Sequence, residues 1–284
     1  MRSVKFLIAA GAASLLSSAA FAADMPSIMP PPPMQPYYAP PPQQDFGGWY
    51  LRGDIGMTNT TGKLFAPAYN DITTLSVTQL DHEFTGGTSF DVGVGYRFNS
   101  WFRADITGEY RSKVHFSGTD FANIAGIGPI SDAYSGGYSS WVGMVNAYAD
   151  LGTWWCVTPF VGVGVGGAYN MISGLSDAGV ISAVPGPGPG TPAYYQANGA
   201  NKFDFAWALH AGLAYKVTNN MTIELAYRYL DLGNGVTGAG STFDGTLSNR
   251  PFQFNNLTSQ DVKIGVRWTC CEVDPPPPPL IRKG

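Results

Sequence analysis

Through the middle of the chain apolar and polar residues alternate with a period of two. This is the pattern of a strand with one face in an apolar medium and the other in a polar one. It is clearest over residues 203–217. Phe203, Phe205, Trp207, Leu209, Ala211, Leu213, Tyr215 and Val217 fall on one face, and Asp204, Ala206, Ala208, His210, Gly212, Ala214 and Lys216 on the other. The run is longer than the roughly five or six residues of an ordinary globular strand. It also exceeds the roughly 9 to 11 residues that a tilted strand needs to cross a bilayer.

Seven more segments repeat the pattern. Trp49, Leu51, Ile55 and Met57 oppose Tyr50, Arg52 and Asp54, and Phe90, Val92, Val94, Tyr96 and Phe98 oppose Asp91 and Arg97. Phe102, Ala104, Ile106 and Tyr110 oppose Arg103, Asp105, Glu109 and Arg111, and Trp141, Val145, Ala147 and Leu151 oppose Asn146, Tyr148 and Asp150. Val161, Val163 and Val165 oppose Phe160, Gly162 and Gly164. Ile223, Leu225, Tyr227 and Tyr229 oppose Glu224 and Arg228, and Val262, Ile264, Val266 and Trp268 oppose Asp261, Lys263 and Arg267.

The connections between these eight segments alternate in length. Short ones fall at 99–100, 152–156 and 218–220, and long ones span 59–84, 112–137, 170–201 and 233–256. A soluble β-sandwich has no reason to segregate its loops in this way, whereas a transmembrane barrel does. The chain therefore reads as all-β: an eight-stranded antiparallel up-and-down transmembrane β-barrel with short periplasmic turns and long extracellular loops. An even number of strands places both ends of the barrel in the periplasm.

The charges agree with closure. All fifteen assigned charges share the polar face: Arg52, Arg97, Arg103, Arg111, Lys216, Arg228, Lys263 and Arg267 against Asp54, Asp91, Asp105, Glu109, Asp204, Glu224 and Asp261. Lipid cannot solvate a charge, so these must point into the lumen. An eight-stranded lumen is just filled by side chains. Arg52, Asp54, Arg103, Asp105, Glu109, Glu224, Arg228, Lys263 and Arg267 are the candidate lumen charge network. A lipocalin-type soluble barrel, with its apolar faces turned inward, is the rival. Strand length and aromatics at the strand ends weigh against it.

Composition narrows the class. Charged residues are 13% of the 284, about half the roughly 25% usual in soluble domains, and their place is taken by 36 Gly and many aromatics. The net charge of −4 gives no footing for nucleic acid. Residues 1–22 read as a secretory signal peptide, with Arg2 and Lys5 ahead of an apolar core and Ala20-Phe21-Ala22 as the cleavage motif. Residues 23–45 form a Pro-rich periplasmic linker, 46–269 the barrel and 270–284 a Pro-rich periplasmic tail. Three cysteines enter an oxidising compartment: Cys156 in a short turn, and Cys270 and Cys271 after the last strand. A bridge from Cys156 across the rim, a vicinal Cys270–Cys271 bond and three free thiols all stay open.

No motif points to catalysis, metal or cofactor. Gly162, Gly164 and Gly167 fit G-x-G-x-x-G, but the strand continues where a dinucleotide site needs a helix. Asp81-His82-Glu83 falls in the long connection 59–84, without a second His in register. Residues 183–190 alternate Pro and Gly and cannot pair as a strand.

Taken together, the chain resembles the small outer-membrane β-barrel family of Gram-negative bacteria, which includes the OmpA and OmpX-like membrane domains and the outer-membrane immunogenic or porin-family proteins. The likeness is carried by Gly48-Trp49-Tyr50-Leu51-Arg52-Gly53, by Phe90-Asp91-Val92-Gly93-Val94-Gly95-Tyr96, by residues 158–166, and by Glu224-Leu225-Ala226-Tyr227-Arg228-Tyr229 through Gly233. The Pro-rich tail after Trp268 departs from the family pattern. The resemblance implies a structural surface protein without enzymatic activity. Its partners would be outer-membrane lipid and lipopolysaccharide, the barrel-assembly machinery, and a host or surface ligand at the extracellular loops. A narrow porin or small-ligand barrel is the second reading, and a lipid-modifying outer-membrane enzyme the third.

Overall fold

The computed structural model describes residues 48–65, 74–125, 128–181, 191–245, 247–248 and 251–270. The expected signal peptide, both Pro-rich segments, the Pro-Gly run at 183–190 and Cys271 lie outside the described residues. The described residues form thirteen strands: β1 Trp49–Phe65, β2 Thr74–Phe84, β3 Gly87–Arg97, β4 Phe102–Ile124, β5 Gly128–Asp150, β6 Val157–Ile181, β7 Thr191–Ala197, β8 Ala200–Lys216, β9 Met221–Asp231, β10 Gly235–Val236, β11 Gly240–Thr242, β12 Leu247–Ser248 and β13 Gln253–Thr269.

Eight of them close into a ring. In order around it, β1, β3, β4, β5, β6, β8, β9 and β13 each pair antiparallel with both neighbours, and β13 returns to β1. Closure leaves no edge of unpaired backbone at membrane depth, which hydrocarbon would not tolerate. The register keeps apolar residues abreast: Ile55 lies between Phe90 and Ile264, and Val163 between Ala147 and Leu209.

The alternation sorts the two faces of the wall. Leu51, Val92, Ile106, Val145, Leu209 and Leu225 are exposed on the outside, while Asp54, Asp91, Arg103, Glu109, Glu224 and Lys263 are buried inside. Aromatics border the apolar belt at two levels. Trp49, Trp101, Tyr215 and Trp268 stand at the short-turn end, and Tyr110, Trp141, Tyr169 and Phe203 at the other. From Trp141 on β5 to Leu151, just past its end, the chain advances ten residues. At about 3.3 Å per residue and a tilt near 40°, that is about 25 Å, the height of an outer-membrane apolar band.

Three expectations are corrected. The long connections are not mainly loops: β4, β5 and β6 run for 23, 23 and 25 residues. Their far halves, joined by β2, β7, β11 and β12, form a sheet that extends beyond the aromatic belt in the order β2-β4-β5-β6-β7-β11-β12. Here no hydrocarbon imposes an unbroken apolar outer face, so Ser, Thr, Gly and Asp enter the pattern, while Phe116, Tyr134 and Leu175 are buried on the inner face. Register shifts at Arg111/Val114 and Ser135/Gly137 also reset the alternation. Second, Arg97 and Lys216 are not lumen residues: both are exposed at the short-turn rim, where Arg97 donates to the Asn99 and Ser100 carbonyls. Third, Asp204 sits at the opposite rim, accepting from the Asn234 backbone and pairing with Lys202.

The belt makes a direct prediction. Leu209→Arg or Ile264→Arg, at mid-belt, should lower the stability of protein refolded into bilayers by about 2–4 kcal/mol, and Val217→Arg at the rim by about 0–1 kcal/mol. Equal effects at the three positions in urea unfolding would contradict the lipid-facing assignment.

Candidate functional site

Among the described residues, the lumen holds the densest set of paired charged side chains. Period two delivers it: β4 points Arg103, Asp105, Glu109 and Arg111 inward, β1 adds Arg52 and Asp54, β9 adds Glu224 and Arg228, and β13 adds Asp261, Lys263 and Arg267. These side chains form two clusters.

Nearer the short turns, Glu224 gathers three arginines. Arg267 Nη1 lies 3.2 Å and Arg103 Nη2 3.3 Å from Glu224 Oε1, and Arg52 Nη2 lies 3.5 Å from Oε2. Arg52 also pairs with Asp54 at 2.9 Å and Asp105 at 3.0 Å, and Arg103 with Asp150 at 3.2 Å. Polar neighbours add hydrogen bonds. Tyr50 Oη and Asn146 Nδ2 donate to Asp105 at 3.0 and 2.8 Å, and Arg52 donates to Tyr148 Oη at 2.9 Å. The Arg103 guanidinium stacks 4.2 Å from the Tyr148 ring centre and 4.8 Å from that of Phe160.

Further along the axis, Glu109 and Asp261 hold Arg111, Arg228 and Lys263. Arg228 grips Glu109 with both terminal nitrogens at 2.7 Å and reaches Asp261 at 2.6 Å. Arg111 meets Glu109 at 3.0 Å and Asp261 at 2.9 Å, and Lys263 meets Glu109 at 2.9 Å and pairs with Asp91.

All nine residues of the candidate network thus lie inside the ring. Four more charges complete it: Asp91, Arg111, Asp150 and Asp261. The alternation had put each of these on the same face as its neighbours, and that was the available signal. Six cations and seven anions nearly cancel.

Above the charges the lumen turns apolar. Asn170 marks the boundary, accepting from Tyr138 Oη at 2.8 Å and donating to the Leu232 carbonyl at 2.8 Å. Beyond it Val114, Phe116, Ile172, Leu230, Phe254 and Leu257 are buried in one cluster. The Phe116 ring lies 4.8 Å from Phe254 and 5.5 Å from Phe84. Phe84 and Phe254 come from segments read as loops.

The other candidates do not assemble. Asp81, His82 and Glu83 lie in β2, where alternation turns His82 away from its two neighbours, and all three are exposed. Among the described residues no group of three or more His, Cys, Asp or Glu could hold a metal ion. Gly162, Gly164 and Gly167 lie within β6, with no helix after them. Of the three cysteines, Cys156 and Cys270 are free thiols and Cys271 lies outside the described residues. Between β6 and β13 stand β8 and β9, so Cys156 and Cys270 lie on the order of 10 Å or more apart, beyond the roughly 7 Å Cα limit of a disulfide.

On the extension, Asp132 of β5 lies directly opposite Asp120 of β4, and Asp177 of β6 is near both. Burial, with the charges of Asp132 and Asp120 adding to it, pushes the Asp177 carboxyl up to about 7. The folded extension therefore holds this proton more tightly than the unfolded chain, so its stability falls as pH rises from about 4 to about 7. Asp177→Asn should remove that part of the decline, gaining stability over the parent at pH 8 and none at pH 3.5. Thermal unfolding at the two pH values checks this; a variant less stable than the parent at pH 8 would contradict it. In the lumen, Glu224→Ala leaves three buried guanidinium groups facing one another. It should cost about 3–5 kcal/mol in bilayer unfolding, whereas Asp204→Asn at the rim should cost less than about 1 kcal/mol.

Residues 8–269 match the outer membrane protein beta-barrel domain. An uncharacterized protein of Brucella abortus (strain 2308) is 32% identical over 204 residues, 66% of this chain and 69% of its own length. Among solved structures, Neisserial surface protein A aligns with a TM-score of 0.43 at 13% identity, covering 78% of this chain and 97% of its own. OprG from Pseudomonas aeruginosa aligns with a TM-score of 0.45 at 10% identity, covering 80% and 98%.

Proposed function

The chain belongs to the outer membrane protein beta-barrel domain family, and on that premise we propose that it is a sealed, non-catalytic barrel of the Gram-negative outer membrane that holds a β-sheet extension at the cell surface. The observation that carries this reading is the filling of the lumen at two levels. Paired charges occupy the half near the short turns, and a cluster of aromatic and aliphatic side chains occupies the half below the extension.

In this reading the short turns face the periplasm, together with both ends of the barrel, where Tyr50 of β1 pairs with Thr269 of β13. The extension then stands outside the membrane, above the distal aromatic row. Its continuous backbone pairing gives surface contacts a rigid frame instead of loose loops. Envelope integrity and contact with a host or surface ligand are the roles such a frame suits. Outer-membrane lipid, lipopolysaccharide and the barrel-assembly machinery are its working surroundings.

The test is conductance. Purified protein inserted into a planar bilayer should show no steady open-channel current, and Glu224→Ala should lose stability before it gains permeability. A stable, ion-selective open current from the parent protein would overturn the sealed reading and favour a narrow porin.

A further inference from the structure

On the outside of the wall made by β4, β5 and β6, two cavities stand one above the other. The lower, of about 340 Å³, is bordered by Gly108, Gly143 and Gly167 and by the rings of Trp141, Tyr169 and Phe203. The three glycines are direct cross-strand partners, Gly108 with Gly143 and Gly143 with Gly167, so the wall is thinned along a line just below the distal aromatic row. No atom crowds the space where a side chain would start at Gly108 or Gly143, and the Phe203 ring leans over Gly167. Glu109 also borders this cavity, but its carboxylate is held inside the lumen by Arg228.

The upper cavity, of about 570 Å³, is the more polar of the two. Lys113, His115, Ser135, Gly137, Ser173 and Ser176 border it. Two neighbouring register shifts, Arg111/Val114 and Ser135/Gly137, open it, and Gly174 takes a φ of 56° at its far side. The Lys113 stem lies across Gly137, where any larger residue would displace it. Among the described residues neither Lys113 nor His115 makes an ion pair, and no carboxylate borders this cavity. Gly137 lies four residues beyond Trp141 on β5. At the strand rise and tilt used above, the upper cavity stands about 10 Å beyond the aromatic row, at headgroup depth.

We propose that this wall binds one phosphorylated lipid of the outer leaflet, the lipid A part of lipopolysaccharide. A phosphate sits against the Lys113 ammonium and the His115 ring, and the Ser135 hydroxyl is available to donate to it, while Ser173 and Ser176 would exchange long bonds of 3.4 Å to the Gly137 carbonyl and 3.5 Å to Tyr194 Oη for it. One acyl chain lies along the glycine floor between Trp141, Tyr169 and Phe203. The order of the parts argues for this occupant: on the same three strands the unpaired cation stands at headgroup depth and the apolar trough at acyl depth. A phosphate also supplies the counter-charge that Lys113 lacks within the protein. The proposal rests on the orientation given above, with the extension outside.

Native mass spectrometry of the full chain in detergent micelles tests it, with bisphosphoryl lipid A, dephosphorylated lipid A and phosphatidylglycerol as probes. One bisphosphoryl lipid A should bind per barrel. Lys113→Gln and Lys113→Glu should weaken it by about tenfold or more, while Lys63→Glu on β1 should leave it unchanged. Gly143→Leu, which fills the trough, should weaken both forms of lipid A. Retention of the folded, heat-modifiable band on gels shows that each variant is intact. Equal weakening by Lys63→Glu and Lys113→Glu would overturn the proposal. So would binding of dephosphorylated lipid A or phosphatidylglycerol as tight as that of bisphosphoryl lipid A. Binding is read in micelles without regard to current, so its failure is distinct from a failure of the sealed-barrel reading.

Discussion

A charge can neither face hydrocarbon nor lie buried alone, and most of this molecule follows from that constraint. Desolvation costs several kcal/mol for each buried ion, and only close partners with good geometry offset it. The ring of eight strands turns every mid-belt charge inward, into a space too narrow to hydrate it. The charges must therefore neutralise one another. Glu224 among three arginines, and Glu109 with Asp261 among two arginines and a lysine, are the two local solutions. Because partners come from different strands, the pairs also act as cross-braces. Arg111 of β4 meets Asp261 of β13 across the lumen, with β1 and β3 between them around the ring.

Beyond the aromatic row the constraint is released, and the sequence changes character. Strands β4 to β6 keep their backbone pairing, and small polar residues become common on the outer face, while Val114, Phe116, Tyr134, Ile172 and Leu175 are buried on the inner one. Near this level the bulges appear, bending the sheet away from the cylinder. The interior still has to be closed, and there it is closed by apolar contact instead of charge. Phe84, Phe252 and Phe254 fill the mouth from segments that do not belong to the long-strand alternation. The same bulges flank the cavity beside Lys113.

What was legible in the sequence follows the same line. Where lipid imposes an unbroken apolar face, one glance at Phe203 through Val217 fixes which side chains turn inward, and the same rule placed Arg52, Glu109 and Lys263. Where lipid imposes nothing, the rule has no purchase. The far half of β5, with Ser135, Gly136 and Gly137 breaking the period, reads as a loop although it is fully paired. Individual ion pairs were also hidden. Alternation tells that Arg111 and Asp261 face the lumen, but the stagger of strands around the ring decides that they meet, and no local spacing encodes it. Asp204 and Lys216 show the converse error: correct parity, but a position on the rim, where inward no longer means buried.

The central claim is that the lumen charges stabilise one another as a network. A double-mutant cycle on Glu109 and Arg228, using Glu109→Gln, Arg228→Met and both together, measures it most directly when unfolding is followed in lipid bilayers. The account predicts a coupling of about 1–3 kcal/mol, with the double variant more stable than the sum of the single losses implies. Strictly additive losses would contradict it, because the two groups would then be acting as independent fillers of the barrel.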